Sequence, residues 1–235
     1  MRMSFIVIAM LVASFAHAAW NGYSEVRELS ADAAGASVLN IDAGPGSLDI
    51  RGASGANEVQ VTAVIKVDSR NDDKAQKIVA EDVVLELERR GDRIELVSDV
   101  RDGWMGQDIS IALEVTMPAG LALQVDDGSG SLTIEDVSAD VRVDDGSGSI
   151  KIRNVGPLRI DDGSGSIDVV NVMGDASIID GSGSIKIRGV AGSVTIDDGS
   201  GSINVSDVER DLIIEDDGSG SLNVSNVRGK VEQDT

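Results

Sequence analysis

From Asp127 onward, apolar residues stand two apart in short pairs. Val141-x-Val143, Ile150-x-Ile152 and Leu158-x-Ile160 are three such pairs. This alternation predicts strands of a few residues with one face buried. A Gly-rich hexapeptide, Asp144-Asp145-Gly146-Ser147-Gly148-Ser149, separates the first pair from the second. It has the chemistry of a tight turn. Val155 lies three residues past Ile152 and breaks the alternation, so a second corner is expected near Arg153-Asn154.

The pattern repeats. Asp-Gly-Ser-Gly-Ser followed by Ile or Leu begins at Asp127, Asp145, Asp162, Asp180, Asp198 and Asp217, at spacings of 18, 17, 18, 18 and 19 residues. All but the fourth copy carry a second Asp just before it, and that copy has Ile179. A looser relative, Gly44-Pro45-Gly46-Ser47-Leu48, sits near the N-terminus. One such unit cannot bury its own apolar side chains, but stacked units can, each strand pairing in parallel with its equivalents above and below. The expected fold is therefore all-β: a single-stranded parallel β-helix, or β-solenoid, with coils of about 18 residues. A β-propeller would need blades of about 40 residues. A left-handed hexapeptide helix would need an apolar residue every sixth position, which these units lack, so a right-handed or irregular helix is favoured and the hand stays open.

Residues 19–125 read as an irregular, β-rich capping region, and residues 126–235 as the solenoid. Val38 to Ile41, Leu48 to Ile50 and Val59 to Val61 predict strands. Val83 to Leu87 and Ile94 to Leu96 flank Arg90-Gly91-Asp92 and predict a hairpin. Ile109 to Met117 alternates over its whole length and ends in a turn at Pro118-Ala119-Gly120. One short helix is expected at Asp72 to Ala80, capped by Asn71 or Asp72. This region is expected to cover one edge of the stack, and the polar stretch Val227 to Thr235, with Arg228, Lys230 and Glu232, to discourage pairing at the other.

Composition changes this picture in three ways. Residues 1–18 have a positive start at Arg2, an apolar run from Phe5 to Phe15, and Ala16-His17-Ala18, which together predict a signal peptide cleaved near Ala18. No further apolar run is long enough for a membrane helix, so a periplasmic or secreted protein with no transmembrane anchor is expected. The chain has no Cys and its one His is His17. After cleavage neither disulfides, Ser–His triads nor His-based metal sites can be built. The net charge of −21 weighs against nucleic acid and anionic lipid as partners.

Val115-Thr116-Met117-Pro118-x-Gly120, followed by coil starts such as Gly201-Ser202-Ile203-Asn204, resembles a group of bacterial envelope proteins labelled "putative adhesins", including the head GIN domain type. The resemblance spans about residues 36–232. It implies a β-helix at the cell envelope and offers no catalytic residues to carry over.

Two readings of the repeated motif stand side by side. In the first, each Asp closes an Asx-turn, Gly supplies positive φ, and the motif is simply the corner of every coil. In the second, Asp127, Asp145, Asp162, Asp180, Asp198 and Asp217 form a column of carboxylates about 4.8 Å apart. Asp126, Asp144, Asp161, Asp197 and Asp216 then form another, and calcium relieves the repulsion. Calcium-binding nonapeptide solenoids place Asp after the glycines, and here it comes before them. A carbohydrate-active β-helix could work with paired carboxylates alone. Yet Asp127 to Thr235 has neither an insertion to build a cleft nor an aromatic residue to stack a sugar. Trp104-Met105, between Gly103 and Gly106, reads as part of the cap. No catalytic or cofactor-binding residue is expected. The leading expectation is a non-catalytic, adhesin-like structural or interaction module whose partner is an envelope protein or surface glycan. The alternatives are a calcium-stabilised scaffold and, third, a polysaccharide-active envelope enzyme.

Overall fold

The computed structural model describes residues 22–101 and 109–233. The expected signal peptide and Trp104-Met105 lie outside them. The chain folds into two ten-stranded sheets whose inner faces share one aliphatic core.

In chain order the first elements are β1 (Tyr23–Asp32), β2 (Val38–Ala43), β3 (Gly46–Ala53), β4 (Glu58–Val67), α1 (Asp72–Glu81), β5 (Val83–Arg90), β6 (Arg93–Val100) and β7 (Ile109–Pro118). The solenoid strands follow: β8 (Ala122–Asp127), β9 (Gly130–Glu135), β10 (Val141–Asp145), β11 (Gly148–Val155), β12 (Leu158–Asp162), β13 (Gly165–Val172), β14 (Ala176–Asp180), β15 (Gly183–Val190), β16 (Val194–Asp198), β17 (Ser200–Val208), β18 (Leu212–Asp216), β19 (Ser219–Val227) and β20 (Val231–Gln233).

Each coil places one strand in each sheet. The first sheet runs β1-β4-β7-β3-β9-β11-β13-β15-β17-β19, and the second β20-β18-β16-β14-β12-β10-β8-β2-β6-β5. Equivalent residues stack in register: Val141 lies over Leu123 and under Leu158, and Ile150 over Leu132 and under Ile167. The expected β-solenoid is therefore observed, with six coils of about 18 residues from β8–β9 to β18–β19.

Five apolar columns fill each coil. In β10–β11 they are headed by Val141, Val143, Ile150, Ile152 and Val155, all buried. Val155 reaches the core because the chain turns at Asn154, whose φ is 55°. This is the corner that the broken alternation predicts. Asp136, Asn171, Asp207 and Asn226 turn at the same place in their coils, with φ between 55° and 62°, and Gly189 does so at 76°. Short polar side chains tolerate this left-handed conformation better than others. Their side chains also link coil to coil. Asn154 Nδ2 donates to Asp136 Oδ1 at 2.9 Å, and Asn171 Nδ2 to Asn154 Oδ1 at 3.0 Å.

The looser Gly-Pro-Gly-Ser relative forms a coil of its own. β2 pairs with β8 and β3 with β9, both parallel and in register, across a long sequence separation. β4 to β7 are inserted between these neighbours. β6 and β7 add a further layer beneath β2 and β3, β4 then pairs antiparallel with β7 and β5 with β6, and β1 ends the first sheet. The helix begins where expected, with Asn71 Oδ1 accepting from the Lys74 N–H at 2.9 Å. It buries Ala75, Ile78 and Val79 and packs against β1, β4 and β5. The strand β1 carries no clean alternation, and most of its residues are half-buried, so pattern alone does not reveal it. β8 crosses residue 125, and both sheets continue unbroken past it. No helix among the described residues is long and apolar enough to cross a membrane.

Candidate functional site

The repeated Asp-Gly-Ser-Gly-Ser lies at the corner where each coil passes from the second sheet to the first. Its two glycines are set by the neighbouring coil. A Cβ on Gly148, Gly165, Gly183 or Gly201 would fall onto the carbonyl oxygen of the equivalent glycine one coil below, and φ there is 144° to 146°. A Cβ on Gly146, Gly163, Gly181 or Gly199 would likewise collide with the coil beneath. Both positions are held by backbone approach.

The Asp has two distinct oxygens. Asp145 Oδ1 accepts the Ser147 N–H at 3.2 Å, and Asp162, Asp180 and Asp198 accept from Ser164, Ser182 and Ser200 at 3.1 Å. These are the Asx-turns of the first reading. The other oxygen, Oδ2, is buried without a partner at Asp127, Asp145, Asp162, Asp180 and Asp198. All five residues are 0–3% exposed, because each continues the inward alternation of its strand, as in Val141, Val143, Asp145.

Burial raises the carboxyl pKa of all five. Asp127 is pushed up to about 6 by burial and by the charge of Asp145, against the hydrogen bond from Ser129. Asp162 is also pushed up to about 6 by burial, with Asp145 and Asp180 adding to it from the coils on either side, while the Ser164 N–H pulls it down.

Asp217 leaves the column. One extra residue produces a register shift between Ile196 and Asp197 of β16 and their β18 partners, pairing Asp197 with Asp216. Asp217 is only half-buried there, and its Oδ2 accepts from Gln233 Nε2 at 2.8 Å. The column therefore contains five of the six expected aspartates. At its foot Ala43 stands in register beneath Asp127.

Asp126, Asp144 and Asp161 also stack, but on the outer face of the same sheet; Ile179 interrupts this column in the next coil, and Asp197 and Asp216 pair beyond it. Consecutive strand residues point to opposite faces. The two columns are thus separated by the sheet and cannot share a cation. Among the described residues no three His, Cys, Asp or Glu side chains are grouped so as to hold a metal.

The outer face of the second sheet carries a feature that the sequence reading did not single out. Gln124, Arg142 and Arg159 stack beside the outer Asp column. Two shallow, open depressions lie along them. One is bordered by Asn40, Asp42, Asp126, Arg142 and Asp144, and the other by Gln124, Arg142, Arg159, Ser177 and Thr195. Reading alternate positions of successive repeats as columns would have found this stripe.

No protein-family model and no curated protein matches the chain. Among solved structures it is similar to a "putative cell adhesion protein" from Clostridium sporogenes, at 9% identity and a TM-score of 0.37, covering 90% of this chain and 98% of that one. It is also similar to a "putative adhesin" from Bacteroides fragilis, at 14% identity and a TM-score of 0.45, covering 90% and 97%. A third, from Parabacteroides distasonis and described in the same words, has 12% identity and a TM-score of 0.40, covering 89% and 97%. Likeness at this level carries no argument about the site, which rests on the chain's own residues.

Proposed function

We propose that the chain is a non-catalytic, adhesin-like interaction module of the bacterial envelope, periplasmic or secreted once residues 1–18 are removed. It meets its partner, an envelope protein or surface glycan, on the outer face of the second sheet. The observation that carries this reading is the stripe of Gln124, Arg142 and Arg159 beside Asp126, Asp144 and Asp161 on parallel strands paired in register. Guanidinium, amide and carboxylate groups in fixed rows offer donors and acceptors at a regular spacing, which suits hydroxyl-rich or mixed-charge surfaces. A rigid sheet costs little entropy to present them. The inner aspartates are too buried to meet a substrate, which weighs against hydrolysis by that pair of columns.

The test is co-sedimentation of the purified chain with isolated bacterial envelopes. The wild type is expected in the pellet, and the double variant Arg142→Glu, Arg159→Glu in the supernatant, with both melting at similar temperatures because both residues are exposed. Equal sedimentation of the two proteins would remove this face from the reading.

A further inference from the structure

The two ends of the stack are built differently. At the N-terminal end β1 touches β5, α1 packs against both, and the edges carry charge: Glu25, Arg27, Glu28 and Asp32 on β1, and Glu86, Glu88, Arg89 and Arg90 on β5. At the other end β19 pairs with β17 alone among the described strands. Its nine residues, Ser219 to Val227, contain no charge in a chain of net −21. Of the three residues expected to guard this end, Arg228 and Lys230 lie outside β19 in the turn towards β20, with Arg228 paired to Glu209, and Glu232 stands exposed on β20, at the edge of the other sheet. A long, uncharged edge strand is a template for another strand.

The outer positions of the last two coils have also changed. Lys151 and Arg153, Asp168 and Val170, then Lys186 and Arg188 occupy them in β11, β13 and β15, so each of these strands carries a charge, whereas β17 has Asn204 and Ser206 and β19 has Asn223 and Ser225. The result on β19 is Ser221-Leu222-Asn223-Val224-Ser225, which reads as the same chemical types in both directions. Leu222, Val224 and Val227 head three core columns and are incompletely covered, with Val224 37% exposed.

We propose that this end is a homodimer interface, in which β19 pairs antiparallel with β19 of a second copy about a two-fold axis through Asn223. In that register Ser221 faces Ser225 of the second copy, Leu222 faces Val224, and Asn223 faces itself. Inward residues meet inward residues, so the apolar columns run on from one copy into the other. Asn223 Nδ2 already donates to Asn204 Oδ1 at 3.2 Å, and its own Oδ1 accepts from Asn223 of the second copy, extending the ladder across the axis. Among the described residues the far end is covered and charged and offers no equivalent surface, so pairing stops at two.

The test uses the chain's lack of cysteine. Opposed residues of an antiparallel pair lie about 4.5–5.5 Å apart at Cα, within reach of a disulfide. Asn223→Cys is expected to oxidise to a covalent dimer, while Asn204→Cys, one coil inward on the same exposed column, stays monomeric. By sedimentation velocity the wild type runs at twice the monomer mass. Asn223→Lys, which sets like charges face to face, runs at the monomer mass while keeping the wild type's β-sheet circular dichroism. A monomeric wild type at micromolar concentration, equal cross-linking at 204 and 223, or a dimer that survives Asn223→Lys would each overturn the proposal.

Discussion

Asp145 and Asp162 stand one coil apart in the same register of β10 and β12, each accepting a serine N–H with Oδ1 and burying Oδ2 without a partner. The first oxygen explains why Asp is repeated, since it closes the corner. The second is a cost. A buried ionised carboxylate without compensation is strongly unfavourable, and the usual response is to hold a proton. A column of such groups ties the stability of the whole stack to pH.

The sign follows from the direction of the shift. The folded carboxyls have raised pKa values, so the folded state binds protons more tightly than the unfolded chain. This contribution is complete below the ordinary value of 3.8 and is lost as pH rises through about 6. For Asp162 the shift corresponds to about 3 kcal/mol before its neighbours share the protons. The melting temperature is expected to be higher at pH 5 than at pH 8. Asp162→Asn keeps an oxygen for Ser164 and removes the charge. It should raise stability at pH 8 by about 1–3 kcal/mol and flatten the dependence. Urea midpoints of both proteins at the two pH values decide it. A wild type that gains stability towards pH 8 would contradict the account.

Calcium gives a separate check on the runner-up reading. The inner and outer Asp columns lie on opposite faces of one sheet, so no ion can take ligands from both. Melting in EDTA and then in millimolar calcium should give the same temperature. A folded-state site at a hundredfold excess over its dissociation constant would add about 2.7 kcal/mol, a shift easily read. Such a rise would restore the inner column as a metal site.

The coil was legible because its period, its alternation and its turn residues all point the same way. Val155 broke the alternation, and the structure turns at Asn154. The division of the aspartates was less accessible. Asp144 and Asp145 look equivalent in sequence, and only strand parity decides which is buried. Asp217 was lost to a single extra residue, which reads as a spacing of 19 but does not say where the chain will bulge. The pairing of β2 with β8 across the inserted layers depends on contacts far apart in sequence, where pattern within one segment has no say. The outer stripe of Gln124, Arg142 and Arg159 went unread because those residues are ordinary exposed positions until the stack aligns them.

Gly165 tests whether close approach of coils fixes the motif. Its φ is 145°, and a Cβ would fall on the Gly148 carbonyl. Gly165→Ala therefore combines backbone strain with overpacking, and about 3 kcal/mol or more of destabilisation is expected. Gly120→Ala is the control. Nothing lies near its Cβ position and its φ is not in the left-handed region, so its change should stay within about 0.5 kcal/mol. Comparable losses at both sites would mean that glycine flexibility, rather than contact between coils, holds the corner.

Asn171 separates backbone conformation from side-chain bonding at the opposite corner. Its φ is 62°, and its Nδ2 donates to Asn154 Oδ1 at 3.0 Å. One coil on, Gly189 makes the same turn with no side chain at all. Asn171→Gly keeps the turn and loses one exposed hydrogen bond, so about 0.5–1 kcal/mol is expected. Asn171→Val loses the same bond and forces a β-branched residue into the left-handed region, so about 2–3 kcal/mol is expected. Chemical unfolding of the two variants ranks the terms. If both lose the same stability, the amide bond dominates and the conformation is cheap. If only the valine variant suffers, the corner is chosen for its backbone, and the Asn ladder is a consequence of which short polar side chains tolerate that turn.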